Sequence, residues 1–317
     1  MLGKQSIILP LPMTRKQAFP FLSPSLGLLL AAILIPFAPL TAQEDLEKAR
    51  VSAEQGDAEN QFLLGRAYDR GENLPQDSAK AAEWYRKAAE QGHAKAQHNL
   101  GTLYLHGEGV AHDDAEAAKW FRAAAEQGAA LAQDALGFML EKGQGVPKDF
   151  PQAVSWYGKA AAQGLPTAQL HAGVGYLLGD EFGIGKDYAA AAQWLEKAAA
   201  AGLAEARNAL GSMYENGCGM PKDEKAAFAL YQQAAEQGNA KAQSSLGRFY
   251  ALGLTTDRDL VKACKWLVLS RDQGEATALV QLSDLELGLD PAQTETVKQL
   301  VAAYRVTHSA NPPPPSR

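Results

Sequence analysis

The chain has 317 residues, of which 46% are apolar and 21% charged, a balance expected of a folded, soluble protein. Its formal charge of −6 argues against binding nucleic acid through phosphates, which needs clustered Lys and Arg. Only Cys218 and Cys264 are present, and their spacing does not recur, so a disulfide framework is excluded.

Residues 1–42 hold Lys4, Arg15 and Lys16 and no acid, so without them −6 becomes −9. A basic start at Arg15 and Lys16 leads into LGLLLAAILIPFAPLTA over residues 26–42. The apolar run from Leu26 to Phe37 is short for a bilayer span. Pro36 and Pro39 interrupt it, and the small residues Thr41 and Ala42 end it. Basic, apolar and small in that order is the pattern of a secretory signal peptide cleaved after Ala42, with Met13 an alternative start. An uncleaved anchor is the competing reading. The expected product is exported, periplasmic or secreted and bacterial, with no membrane span once the signal is removed. Export would permit oxidation of the two cysteines, but sequence does not bring their Cα atoms within bridging distance, and two separate thiols are expected.

The next stretch, EDLEKARVSAEQG (44–56), reads as a lone capping helix, placed in a segment of residues 43–56. Residues 57–274 then repeat. LLGRAYDRGENLPQDSAKAAEWYRKAAEQG (63–92) is followed by NLGTLYLHGEGVAHDDAEAAKWFRAAAEQG (99–128). The glycine after the leucine falls at Gly65, Gly101, Gly137, Gly173, Gly211 and Gly247, which marks six units of 36 to 38 residues. Each unit reads as two antiparallel helices. In the second, helix A runs from about His93 to Leu105 and carries Ala94, Gln97, Leu100, Gly101 and Tyr104 on one face. Gly107 ends it, and Asp113 starts helix B by accepting backbone N–H groups. Ala117, Trp120, Phe121 and Ala124 face the partner helix, with Tyr104 and Trp120 filling the wider gaps. One hairpin cannot bury its own apolar faces, so the units must stack. The predicted fold is all-α, a right-handed α/α solenoid of helix-turn-helix repeats. Residues 275–308 complete it as a degenerate repeat and C-terminal capping helix. SANPPPPSR closes the chain, with residues 309–317 expected to be an extended, proline-rich tail.

The recurring marks are L-G-x-x-Y, G-x-G-V-x-x-D and K-A-x-x-W-x-x-K-A-A-x-x-G. This pattern resembles the Sel-one-like repeat family, related to the tetratricopeptide repeats, over about residues 44–287. Asn73 and Thr255 depart from it at the second loop glycine, Leu230 at the tryptophan and Ala172 at the leucine. The resemblance implies an interaction scaffold, often in an exported or envelope setting, and no catalytic residues.

The residues themselves also point away from chemistry. A dinucleotide-binding G-x-G-x-x-G follows a strand and has a third glycine. Here a helix precedes each G-x-G and no third glycine follows. The aspartate after it recurs at Asp77, Asp113, Asp149, Asp187, Asp223 and Asp259, as a helix cap would. His98 and His106 share a helix face but stand about 12 Å apart along its axis, too far to hold one metal ion. No catalytic site, cofactor or metal is expected.

Work is expected instead on the concave face of the A helices. The positions two before and two after the leucine include Phe62, Arg66, His98, Phe138, Leu170, Val174 and Arg248, and Leu177 and Leu178 lie further along the fourth helix A. Phe138, Leu170, Val174, Leu177 and Leu178 concentrate apolar character in repeats three and four. Such a patch is expected to anchor a protein or peptide. The competing expectation is that curvature buries these side chains against the neighbouring A helices. A cell-envelope polysaccharide or assembly scaffold is the alternative function, to be recognised by aromatic rings lining the groove. An enzyme or enzyme regulator ranks below both.

Overall fold

The computed structural model describes residues 42–309; residues 1–41 of the signal segment and 310–317 of the proline-rich tail read from the sequence lie outside the described residues, while Ala42 and Ser309 end the first and last helices. Helix α1 (Ala42–Glu54) is followed by six hairpins. These are α2 (Ala58–Arg70) with α3 (Ser78–Glu90), α4 (Ala94–His106) with α5 (Asp114–Glu126), and α6 (Ala130–Lys142) with α7 (Phe150–Ala162). Then come α8 (Pro166–Leu177) with α9 (Tyr188–Ala200), α10 (Ala204–Asn216) with α11 (Glu224–Glu236), and α12 (Ala240–Leu252) with α13 (Leu260–Asp272). The chain ends with α14 (Ala276–Glu286) and α15 (Pro291–Ser309). No strand occurs among the described residues. Each B helix packs on its own A helix and on the A helix that follows, which makes an α/α solenoid.

The turn chemistry is as the sequence predicts, with one addition. Gly107 ends α4 in the left-handed conformation, its N–H donating to Leu103 O. Asp113 accepts from the N–H groups of Ala115 and Glu116 at 2.9 and 3.0 Å, an N-cap worth about 1 kcal/mol. The second loop glycine has a separate task. Gly109 has φ +69, and a Cβ there would lie 2.2 Å from the Ser78 carbonyl. It docks the loop onto the start of the preceding B helix. Gly185, in the loop lengthened by two residues, has φ +73 but nothing within 4 Å of its would-be Cβ.

Between the helices of a hairpin, one side chain meets the helical glycine, while Trp120, Trp156, Trp194 and Tyr104 pack against the core beside it. A Cβ on Gly101 would meet the Phe121 ring at 2.9 Å, and one on Gly137 would meet the Tyr157 ring at 2.7 Å. Phe121, Tyr157 and their equivalents therefore fill the space that the helical glycine opens. The tryptophans sit one position further round the helix, half-buried at Trp84, Trp120, Trp156 and Trp194 and buried at Trp266. Lys159 Nζ lies 3.7 Å from the centre of the Trp156 ring, and Lys87 Nζ 3.8 Å from that of Trp84.

A buried glutamine ties every repeat but the fifth to the helix before it. Gln133 Nε2 donates to Ala125 O at 3.0 Å, and its Oε1 accepts from Gln163 Nε2 at 2.8 Å. Gln61, Gln97 and Gln243 do the same with Gln91, Gln127 and Gln273. Such amides are tolerated in the core because both ends are hydrogen-bonded. The fifth repeat carries Arg207 at the glutamine position, and Ala201 replaces the partner of Gln169, so the ladder is interrupted there.

The C-terminal end differs from a seventh hairpin. Helix α15 packs mainly on α13 rather than on α14. Val297 and Val301 are buried, Tyr304 meets Trp266 edge-on at 5.5 Å, and its hydroxyl donates to Ala235 O at 2.9 Å. The helix thus closes the core by folding back over the sixth repeat.

Both cysteines are free. Cys264 is buried, and burial pushes its thiol up to about 11, whereas Cys218 is partly exposed. At pH 8 a thiol reagent is expected to titrate one cysteine rapidly in the native protein and the second only after denaturation. Two fast equivalents in the native state would contradict this packing.

Candidate partner-binding groove

The A helices α6, α8, α10 and α12 line a groove. Its first part, about 580 Å³, has an apolar floor of Phe138, Leu170, Val174 and Leu178. Phe138 is 41% exposed, large for an aromatic side chain, while the two leucines and the valine are half-buried. Asn208, Asn239 and Lys241 continue the wall toward a second, polar part of about 530 Å³ that includes Ser212, Ser244 and Arg248.

Alternate repeats carry a tyrosine–acid pair at the groove end of the hairpin. Tyr157 donates to Glu141 at 2.9 Å, Tyr231 to Glu215 at 2.8 Å and Tyr85 to Asp69 at 3.2 Å. The intervening repeats place Leu105 with Phe121, Leu177 with Leu195 and Ala251 with Leu267 at the same two positions. Burial, reinforced by the Glu141 carboxylate, raises the Tyr157 phenol above its ordinary range, so it stays a neutral donor. Arg248 is held 2.5 Å from Glu215, which it shares with Tyr231.

Neighbouring A helices meet through regular offsets. Thr167 donates to Asp134 Oδ2 at 3.0 Å, and His171 Nδ1 lies 2.8 Å from Asp134 Oδ1. Ser244 meets Thr277 at 3.1 Å. Partners are therefore 33 or 37 residues apart, one repeat minus three or plus one, which is the ridge spacing of a helix surface.

The structure gathers some of the predicted residues and separates others. Phe138, Leu170, Val174 and Leu178 share the groove. Leu177 does not line it, and like Leu170 and Val174 it packs against the core of the fourth repeat. Arg248 belongs to the polar extension. Phe62 needs correction as an open contact: it is buried, stacked on His93 at 4.7 Å and tilted against Tyr85 at 5.9 Å, because the first A helix must cover its own hairpin. Arg66 lies 3.7 Å from Glu72. His98 is half-buried with its ring tilted on Phe121 at 5.4 Å, and desolvation lowers its pKa. His171, Asn239 and Lys241 were not singled out by sequence; the offset of 37 residues from Asp134 is the signal that finds His171. Among the described residues no group of three or more His, Cys, Asp or Glu side chains is placed to hold a metal ion. No described helix is long and apolar enough to cross a membrane.

Six consecutive matches to the Sel1 repeat cover residues 59–93, 94–128, 130–165, 166–203, 204–239 and 240–275, most of the chain. The chain belongs to the Sel1 repeat family. Members of this family generally mediate protein–protein interaction and are typically non-enzymatic scaffolds. Among solved structures, this Sel1 repeat protein is similar to c5321, a protective antigen of uropathogenic Escherichia coli strains with an SLR fold. Identity is 36% over 84% of this chain, with a TM-score of 0.68, and the match spans 60% of the antigen's length. A Sel1 repeat protein from Oxalobacter formigenes is 34% identical over 71% of this chain and 94% of its own, with a TM-score of 0.60. No curated protein matches the chain.

Proposed function

We propose that this Sel1 repeat protein is an exported, non-enzymatic scaffold that holds a partner polypeptide in the groove along its A helices. The observation that carries the reading is the convergence of Phe138, Leu170, Val174 and Leu178 on one open surface, with Phe138 41% exposed. A contiguous apolar patch with a polar rim marks an interaction site. Phe138 is the one open aromatic ring on this floor, and it stands among two leucines and a valine rather than in a row of rings suited to sugar stacking, which favours a polypeptide over a polysaccharide. Export is supported by the basic, apolar and small order of residues 15–42.

Affinity capture from the exported fraction tests this, comparing wild type with Phe138→Ala and Val174→Ser. Phe138 is exposed enough that its truncation leaves the fold intact, while an anchor residue in an interface costs about 1–3 kcal/mol, or roughly ten- to hundredfold in affinity. Unchanged partner recovery by folded variants would sink the reading.

A further inference from the structure

His171 stands at the centre of the groove wall and has an arrangement that a packing residue does not need. Its Nδ1 is 2.8 Å from Asp134 Oδ1, while Thr167 holds the other carboxylate oxygen at 3.0 Å. The Tyr157 ring lies 4.8 Å away, centre to centre, and fixes the plane of the imidazole. An ionised carboxylate only accepts, so Nδ1 carries the proton toward Asp134. In the neutral ring Nε2 is then an acceptor, and among the described residues nothing donates to it. A third of the side chain is exposed and lines the groove beside Leu170 and Val174.

The surroundings say what kind of donor fits. Asn239 commits its Oδ1 to Ala242 N–H at 2.9 Å, which leaves its amide N–H groups for a carbonyl. Asn208 offers both a donor and an acceptor to the same space. Lys142 is ion-paired with Glu141 at 2.7 Å. Of the remaining charges, Glu205 and Glu275 outnumber Lys241. The groove therefore offers an apolar floor, a fixed acceptor, amides suited to backbone pairing and a net negative rim.

We propose that His171 is the polar anchor of this groove. Its Nε2 accepts a hydrogen bond from an N–H of an extended peptide whose neighbouring apolar side chain rests on Phe138, Leu170, Val174 and Leu178, with Lys or Arg favoured beside it. Asp134 is a positioning residue that sets the tautomer. The proposal rests on the reading of the groove as a polypeptide site.

The test uses the protein expressed without residues 1–42, a random dodecapeptide library displayed on phage, and ¹⁵N-histidine NMR. The imidazole spectrum of the free protein is expected to show His171 protonated at Nδ1 and bare at Nε2. Peptides enriched by wild type over Phe138→Ala are expected to pair an apolar residue with a nearby Lys or Arg. His171→Phe keeps a ring but no acceptor, and is expected to bind those peptides about tenfold more weakly. His171→Gln can donate to Asp134 and still accept, and is expected to stay within about threefold of wild type. The double variant Glu205→Gln, Glu275→Gln is expected to lose the preference for Lys and Arg. If peptides are enriched but His171→Phe binds them as wild type does, or if Nε2 carries the proton, the anchor is overturned and the groove reading stands. If wild type enriches nothing over Phe138→Ala, both fall.

Discussion

Gly109→Ala is expected to destabilise the solenoid by about 3–5 kcal/mol, and Gly185→Ala by only about 1–2 kcal/mol. Both glycines are left-handed, at φ +69 and +73, so both variants incur the same backbone penalty. They differ in surroundings. The new methyl at 109 would sit 2.2 Å from the Ser78 carbonyl carbon and oxygen and 2.5 Å from Ala79 N, all backbone, while the one at 185 would meet nothing within 4 Å. Side chains can turn away from an overlap, but the first turn of α3 cannot. Urea unfolding followed by tryptophan fluorescence gives both values. Equal losses in the two variants would show that docking of the loop on the preceding repeat contributes nothing.

Tyr157→Leu is expected to cost about 3 kcal/mol, of which Glu141→Leu in the same chain restores about 1 kcal/mol. Tyr157 is 1% exposed, fills the space over Gly137 and donates to Glu141. Shortening it removes buried ring and leaves the carboxylate facing an apolar gap. The protein already contains the alternative, since the fourth repeat sets Leu177 and Leu195 at these positions. Supplying both leucines converts a polar pair into an apolar one, and the two changes should therefore couple. Urea curves for wild type, the two single variants and the double variant measure that coupling. Strict additivity would mean that the alternation of tyrosine–acid and apolar pairs along the array has no energetic basis.

Much of the fold is legible because each repeat restates it. The aspartates at 77, 113, 149, 187, 223 and 259 all cap B helices, as their recurrence suggests. Gln97 could be placed on the buried face of α4 by helical period, but not its two hydrogen bonds, since these join three helices from two repeats. The sequence turns both Trp120 and Phe121 toward the partner helix without saying which of them meets Gly101. The glycine's own position chooses Phe121, since the Cβ direction along a helix decides which neighbour meets the gap. The last helix was legible as a helix, and its seat on α13 was not, because no other repeat supplies a template for it.

The candidate site divides in the same way. Four of the five apolar residues predicted to cluster do line one groove, and Leu177 does not, because a shift of one residue turns a helical side chain by about 100°. Phe62 occupies an equivalent sequence position to Asp134 and Leu170 yet is buried, since in the first repeat it packs on Tyr85 and His93. By itself, then, the sequence determined the repeat length, the helix ends, the stacking of hairpins and the stretch of the array richest in inner-face apolar residues. These follow from local periodicity and turn chemistry, which act within a few residues. Tertiary structure decided which of those side chains are open, and it brought His171 to Asp134 and Arg248 to Glu215. Those contacts depend on the offset between neighbouring A helices, which is set by how the glycines, rings and glutamines of adjacent repeats pack together.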